Sequence, residues 1–377
     1  MQSKKSYSRL VVKVGSSLIN YRDNTIDLSR LGANESIKRT ENRQKVIAEG
    51  DFLGGLIRQI NRLWDQGKEV ILVSSGAVAC GMSVLKLKKR PKDIPGLQAA
   101  AAIGQNELMG LYRRLLSEDN RLCAQILLTW EDFEDRERYL NVRQTIFHLL
   151  KNKVLAIINE NDTVSTEEIR FGDNDRLSAL VANLVGADLL VILSDVDGLY
   201  RLPQKDVISV VDKITPEIKR LCCDTDKETC VGGMSSKIEA AKIAVGAGIP
   251  VIIASGSSPD ALLRAAGGEA VGTLFLPKAD NLKAKERWIA YGVRPKGILI
   301  VDSGARKALV ENNKSLLSVG ITAVKGNFKK DEMVSISDAQ GEEFARGRVN
   351  FSAKEIEAQK GLSLKREVVH RDDLVVL

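Results

Sequence analysis

Short apolar runs recur along the first two thirds of the chain, at Leu10–Val14, Val70–Val73, Ala124–Leu128, Val154–Ile158, Leu189–Leu193 and Val251–Ala254. Between them the stretches 51–66, 98–117, 138–151, 175–186 and 236–247 carry apolar residues at helical spacing. Continuous apolar runs of this length suit strands buried on both faces, and strands that alternate with helices form a parallel sheet covered on both sides. The pattern predicts a doubly wound, mainly parallel α/β domain. After Gly272-Thr273-Leu274-Phe275-Leu276-Pro277 the texture changes. A charged stretch, Lys278–Arg287, leads into short strand-like pieces at Gly297–Val301, Gly320–Lys325, Met333–Ile336, Glu343–Val349 and Asp373–Leu377, separated by turn residues. Many short strands with frequent turns predict a small β-barrel. The expected domains are therefore 1–279 and 286–377, with the linker near 278–286. The polar, charge-rich segment from Asn20 to Gly50 shows no apolar stripe and reads as an irregular surface excursion.

At 377 residues, with 44% hydrophobic content, the chain exceeds what one core usually supports and can fill two. No apolar stretch approaches the roughly 20 residues needed to cross a bilayer, which predicts a cytoplasmic protein with no membrane partner. Five cysteines (Cys80, Cys123, Cys222, Cys223 and Cys230) form no CxxC pair in a chain too large to need staples, so reduced thiols are expected and no metal site is read. The net charge of +7 is spread along the sequence and suits nucleic acid or a small anionic substrate equally. Only His148 and His370 occur. The first sits at helical spacing in an apolar segment and the second lies near the C-terminus, so chemistry that needs a histidine base has little support.

What remains is an inventory of lysines, glycines, amides and carboxylates, the groups that position phosphates and a metal. Two predicted strands run into polar clusters. Val154–Ile158 is followed by Asn159-Glu160-Asn161-Asp162 and then Gly172-Asp173-Asn174-Asp175, and Leu189–Leu193 by Ser194-Asp195. In open α/β sheets, ligands bind beyond the carboxyl ends of the strands, and these residue types turn a backbone while offering hydrogen bonds. The first strand holds Lys13 beside Gly15, an arrangement that can aim an ammonium at a phosphate, although a strand lysine next to a loop has the same pattern. The second ends in Ser74-Ser75-Gly76-Ala77, small residues that admit a ligand or a neighbouring helix equally well. Gly232-Gly233-Met234-Ser235-Ser236-Lys237 opens a helix, where unpaired backbone N–H groups and a lysine suit phosphate, or where serine caps an ordinary loop. Neither GxxxxGK[ST] nor GxGxxG occurs in its proper context.

The segments VVKVGSS, VSSGAVACGM, INENDTVS, FGDNDRLSALVA, SDVDGLY and GGMSSKIEAAKIA occur in the order and near the spacing of the glutamate 5-kinases of the amino-acid kinase family, which this chain resembles over almost its whole length. DSGARKAL, ARGRVNFSA and VVHRDDLV resemble the PUA domain that many of these kinases carry. The resemblance implies ATP-dependent phosphorylation of the γ-carboxylate of L-glutamate to L-glutamyl 5-phosphate, the first step toward proline. It assigns the ATP phosphates to Lys13 and Lys237, and the rest of the nucleotide site to Ser194, Asp195, Val231, Gly232, Gly233, Met234, Ser235 and Ser236. It assigns glutamate to Ser75, Asp162 and Asn174, with Asp175 organising the lysines or hydrated Mg²⁺. In the implied acceptor site the α-amino group of glutamate meets a carboxylate, and its α-carboxylate meets amides. Proline as feedback inhibitor, a homo-oligomer and hand-off of product to glutamyl phosphate reductase are implied as well. Two departures stand out: Cys230-Val231 replaces the usual Gly-Thr before Gly232, and the segment near 32–50 is longer than is typical.

Two other readings stay open on the sequence. One is an RNA-binding protein whose C-terminal barrel does the main work, although residues 286–377 hold 16 Lys and Arg against 13 Asp and Glu, which is only mildly basic. The other is a related kinase acting on another carboxylate or on carbamate.

Overall fold

The computed structural model describes residues 7–19, 52–164, 174–201, 204, 206–221, 233–277, 283–362 and 367–377. The expected excursion at 20–50 and most of the expected linker lie outside the described residues. By the density of its internal contacts the chain divides into two units. The first comprises Met1–Asp132, Glu137–Val245 and Ile249–Pro277, and the second Lys278–Leu377 with the short pieces Phe133–Arg136 and Gly246–Gly248.

The first unit is built on one sheet. Its long strands are β1 (Arg9–Val14), β2 (Glu69–Ser74), β3 (Leu122–Leu128), β4 (Val154–Glu160) and β5 (Leu189–Ser194). Two-residue pieces follow at β6 (Tyr200–Arg201), β7 (Asp206–Val207) and β8 (Val210–Val211), then β9 (Val251–Ser255) and β10 (Thr273–Phe275). The eight-stranded order is β3-β4-β2-β1-β5-β9-β10-β8, and among the described residues β10 against β9 is its only antiparallel pairing; β6 and β7 form a separate ribbon. The doubly wound, mainly parallel reading of the sequence is thus borne out. All six predicted strands are present, and the short β8 and β10, too brief for a periodic signal, are additions.

Helices cover the sheet: α1 (Phe52–Asp65), α2 (Ala77–Val84), α3 (Ile94–Ser117), α4 (Arg136–Lys151), α5 (Asn174–Val185), α6 (Met234–Gly246) and α7 (Ala261–Ala266). In α1, Leu53, Leu56, Ile57, Ile60 and Leu63 recur every three or four residues and pack with Leu10, Val12, Leu72 and Val191 in one core. The central strands β1, β2, β5 and β9 are buried along nearly their whole length, as strands covered on both faces must be.

Helix α2 was not legible in the sequence, because its eight residues are small and lack a strong apolar face. It is held by backbone proximity. A Cβ added at Gly81 on α2 would come within 1.8 Å of the Ala100 carbonyl oxygen on α3, and one added at Gly104 on α3 within 1.8 Å of the Ala77 carbonyl oxygen on α2. The two helices therefore cross with main chain against main chain, which only glycine permits.

In the second unit six strands, β11 (Gly297–Val301), β12 (Leu316–Leu317), β13 (Ile321–Gly326), β14 (Met333–Ser337), β15 (Glu343–Val349) and β16 (Glu367–Val376), curl in the order β12-β16-β15-β14-β11-β13. Register shifts within β11–β13, β14–β15, β15–β16 and β12–β16 bend the sheet into a half-barrel. Leu299, Ile336, Phe344, Val349 and Val369 fill its core. Helices α8 (Ser303–Val310) and α9 (Ala353–Gln359) interrupt the strands, each opened by a side-chain cap: Asp302 accepts from Ala305 N–H, and Ser352 with Glu355 forms a reciprocal capping box. The final strand is longer than the sequence pattern suggested, beginning at Glu367, where Val368 and Val369 are both buried.

Replacing Gly104 or Gly81 by alanine forces α2 and α3 apart and lowers the unfolding free energy by about 1–3 kcal/mol or more. Gly110→Ala on the same α3, where an added Cβ meets nothing within 4 Å, raises it by about 0.4–1 kcal/mol. Denaturant midpoints of the three variants check this; equal behaviour of Gly104→Ala and Gly110→Ala would remove the crossing as the cause.

Candidate active site

Strands β1, β2, β4 and β5 run parallel, so their carboxyl ends open on one edge of the sheet. Lys13 stands near the end of β1, in register with Val73 on β2 and Ile192 on β5. The chain then turns at Gly15, whose N–H donates to the Leu193 carbonyl at 3.1 Å, while Ser75 N–H donates to Val14 O at 3.2 Å. At the end of β2 the turn into α2 passes through Gly76 at φ 105°, a left-handed conformation that glycine adopts without strain.

Asp175 occupies the first turn of α5 and is fully buried. Lys13 Nζ lies against its Oδ1 in a close ion pair. On the other oxygen, Oδ2, Lys237 Nζ sits at 3.3 Å and Ser236 Oγ donates at 2.9 Å. Lys13 and Lys237 are themselves 5% and 7% exposed. One carboxylate thus holds two ammonium groups, delivered from β1 and from the start of α6. A lone ion in such a setting is heavily disfavoured, whereas a paired and hydrogen-bonded one is tolerated. The three charges sum to a net positive centre. Beside it, α6 begins at Met234, so the unpaired N–H groups of its first turn add positive potential.

Ser194 ends β5, buried, its Oγ donating to Asp195 Oδ1 at 3.0 Å, and Asp195 is exposed. Gly233 and Ser235 are exposed while Met234 and Ser236 are half-buried, and Val231 and Gly232 lie outside the described residues. The effect of Cys230-Val231 lies there too. Asp162 is half-buried in the turn directly after β4. Arg176, next along α5, stacks its guanidinium over Trp130, 4.0 Å from the ring centroid.

Ser75 and Asn174 are buried together. Asn174 Nδ2 lies 3.1 Å from Ser75 Oγ, 2.8 Å from the Ser74 carbonyl and 2.7 Å from Asn159 Oδ1. The arrangement continues inward, with Asn159 Nδ2 donating to Gln105 Oε1 at 2.8 Å and Ser74 Oγ paired with Tyr112 OH at 2.8 Å. Asn159, Gln105, Ser74 and Tyr112 were given no role in the sequence reading. Gln105 did leave a signal: it falls on the buried stripe of α3 with Leu97, Ala101, Gly104 and Leu108, where a polar residue needs a partner.

The edge of the sheet therefore carries two neighbouring environments, a net positive centre built on lysines and a neutral one built on amides and hydroxyls. Among the described residues no group of three or more His, Cys, Asp or Glu is placed to hold a metal ion, and no helix is long and apolar enough to cross a membrane.

Residues 8–255 match the amino acid kinase family and residues 297–369 the PUA domain. A glutamate 5-kinase of Caldanaerobacter subterraneus subsp. tengcongensis is 43% identical, the alignment covering 98% of each chain. Glutamate 5-kinases of Nitrosomonas eutropha (43%; 99% of this chain, 98% of the other) and Moorella thermoacetica (42%; 98% and 96%) are similarly alike. The chain belongs to the amino acid kinase family, among the glutamate 5-kinases, and carries a PUA domain C-terminal to its kinase unit.

Proposed function

We propose that the chain transfers the γ-phosphoryl group of ATP to the γ-carboxylate of L-glutamate, giving L-glutamyl 5-phosphate and ADP at the entry to proline synthesis. The buried Lys13–Asp175–Lys237 cluster carries this reading, together with full-length similarity to glutamate 5-kinases. A carboxylate acceptor, which ordinarily titrates near ~4.3, is already ionised at neutral pH, so its oxygen attacks the γ-phosphorus without a base. One P–O bond forms as another breaks, and the electron pair leaves on ADP. The obstacle is repulsion between anionic donor and anionic acceptor, which fixed positive groups relieve. Lys13 and Lys237, which converge on Asp175, bring two ammonium groups to the transferring group. Asp175 sets their positions and leaves one positive charge in excess. Ser194, Asp195 and residues 231–237 hold the nucleotide, and Ser75, Asp162 and Asn174 hold glutamate.

Mg²⁺ fits as a passenger of the nucleotide. Asp175 is already engaged by two lysines, and a cation bound through phosphate oxygens and water needs few protein ligands. When bound it neutralises phosphate charge. The catalytic unit is 1–279 and the PUA-like unit 286–377. The near balance of charge in the latter is too small to track a phosphate backbone on charge alone, so it is assigned no nucleic-acid role. Proline, which shares the α-amino and α-carboxylate groups of glutamate, competes for the acceptor site as end-product inhibitor. A cytoplasmic homo-oligomer that passes its labile product to a glutamyl phosphate reductase completes the reading.

The acyl phosphate is trapped by hydroxylamine, and transfer to glutamate should exceed transfer to aspartate, N-acetylglutamate or carbamate. Equal rates on all four would refute the assignment. Lys13→Ala and Lys237→Ala should each lower kcat by about 10²–10³, the scale of losing one electrostatic donor at a transition state. Asp175→Ala should also lower the unfolding free energy, by about 3–5 kcal/mol, because it strands two buried ammonium groups. Either lysine variant that folds and keeps its full kcat would exclude that lysine from the chemistry. Asp162→Ala and Asn174→Ala should raise KM for glutamate more than KM for ATP, and unchanged glutamate KM in both would move the acceptor site elsewhere. A chain ending near Pro277 should still phosphorylate glutamate; a folded truncation without transfer would show that the PUA-like unit takes part in catalysis.

A further inference from the structure

Three buried amides form a relay from α3 to the proposed acceptor site: Gln105, 8% exposed, Asn159, 3%, and Asn174, 5%. Oxygen and nitrogen of an amide are distinguished by their partners. Asn159 Oδ1 lies 2.9 Å from the backbone N–H of Glu160, which can only donate, so that atom is oxygen. Its Nδ2 then faces Gln105 Oε1. The inward atom of Asn174 faces two groups that can only accept, the Ser74 carbonyl at 2.8 Å and Asn159 Oδ1 at 2.7 Å, so it is the amino nitrogen. Ser75 Oγ, at 3.1 Å, shares the same nitrogen. Both N–H bonds of Asn174 are thereby used inside the protein, and among the described residues none donates to its carbonyl oxygen.

We propose that Gln105 is a positioning residue: through Asn159 it locks the Asn174 amide with the carbonyl toward the acceptor, so that the site selects a dicarboxylate bearing an α-ammonium group. This rests on the proposed glutamate kinase activity and adds the polarity of recognition. A carbonyl oxygen accepts from an ammonium and repels a carboxylate. The expectation that the α-carboxylate meets this amide is therefore reversed at Asn174. Asp162, in the turn after β4, supplies the negative charge that an ammonium also seeks. Gln105 touches neither substrate. Without it, Asn159 Nδ2 is buried and unpaired, its side chain turns away, and the Asn174 amide loses an acceptor that fixes which end points outward.

Two analogues separate the ends of glutamate. Glutarate lacks the α-amino group, and 4-aminobutyrate keeps it but lacks the α-carboxylate. Steady-state kcat/KM with ATP is measured for all three acceptors in the unmodified chain, Gln105→Leu and Gln105→Glu. The unmodified chain should prefer glutamate to glutarate by at least roughly a hundredfold, as a site built to pair an N–H does. Gln105→Leu should raise KM for glutamate roughly tenfold at constant KM for ATP, and shrink the preference over glutarate by about the same factor. Its preference over 4-aminobutyrate should be unchanged. Gln105→Glu, whose carboxylate still accepts from Asn159 Nδ2, should restore both values. The proposal is overturned if the unmodified chain uses glutarate as well as glutamate, a result that needs no variant to fold. It is equally overturned if Gln105→Leu erodes the preference over 4-aminobutyrate instead, or if the Leu and Glu variants behave alike. A folded, unmodified chain that phosphorylates none of the three acceptors would overturn the kinase reading and the selection with it.

Discussion

A single fully buried carboxylate, that of Asp175, organises the site. Two lysines converge on it from distant parts of the sequence, Lys13 from the first strand and Lys237 from the helix after residue 233. Desolvation makes any one of these ions costly alone, and their mutual attraction offsets that cost only while all three are in place. The centre therefore exists only in the assembled sheet. β1 must lie between β2 and β5, and α5 and α6 must begin at the same edge. A structural requirement for burial and a chemical requirement for fixed positive charge are met by the same atoms.

Most of the sheet was legible because the central strands are buried on both faces, and continuous apolar runs such as Leu189–Leu193 have few alternatives in a chain of this texture. Lys13 interrupts such a run, and no pattern explains a cation at a position that is 5% exposed unless an anion waits there. The polar clusters after β4 and β5 were visible for the same reason, since loops at the carboxyl edge need residues that can turn and bond. What remained hidden depends on contacts between segments distant in sequence. Helix α2 is fixed by the crossing of Gly81 and Gly104, and neither glycine announces a partner. The link from Asp175 to Lys237 spans 62 residues and rests on geometry that no local periodicity encodes. The roles of the individual residues came from family resemblance, whereas the pairing of their side chains came from the fold.

The second unit was legible as strands and turns but not in its curvature. Each register shift sets unequal numbers of residues against one another in a strand pair, which bends the sheet and interrupts its alternation, as at Phe344 and Ala345, buried in succession on β15. Helices α8 and α9 escaped notice because both are short. Their start signals, Asp302 and Ser352, are side chains that serve equally well in turns. A capping box is a local feature, however, and Ser352 with Glu355 three residues later is a helix-start pattern that the sequence displays by itself.

The two halves of the site solve different electrostatic problems by different means. Phosphoryl transfer gathers negative charge, and on the proposed reading the lysine side answers it with full charges that Asp175 holds in place. An amino-acid acceptor brings charges of both signs, and full charges of either sign throughout its binding site would attract one end while repelling the other. Neutral amides avoid this. An amide has a donor end and an acceptor end, so a chain of them transmits direction without net charge, and its polarity is set wherever it meets a backbone group that can act in one sense only. In this relay those anchors are the Glu160 N–H and the Ser74 carbonyl, parts of the strands themselves. On the proposed reading, the same parallel sheet that holds Lys13 against Asp175 also presents these backbone anchors, and Gln105 keeps the Asn159 amide seated on them so that one end of the Asn174 amide faces the acceptor.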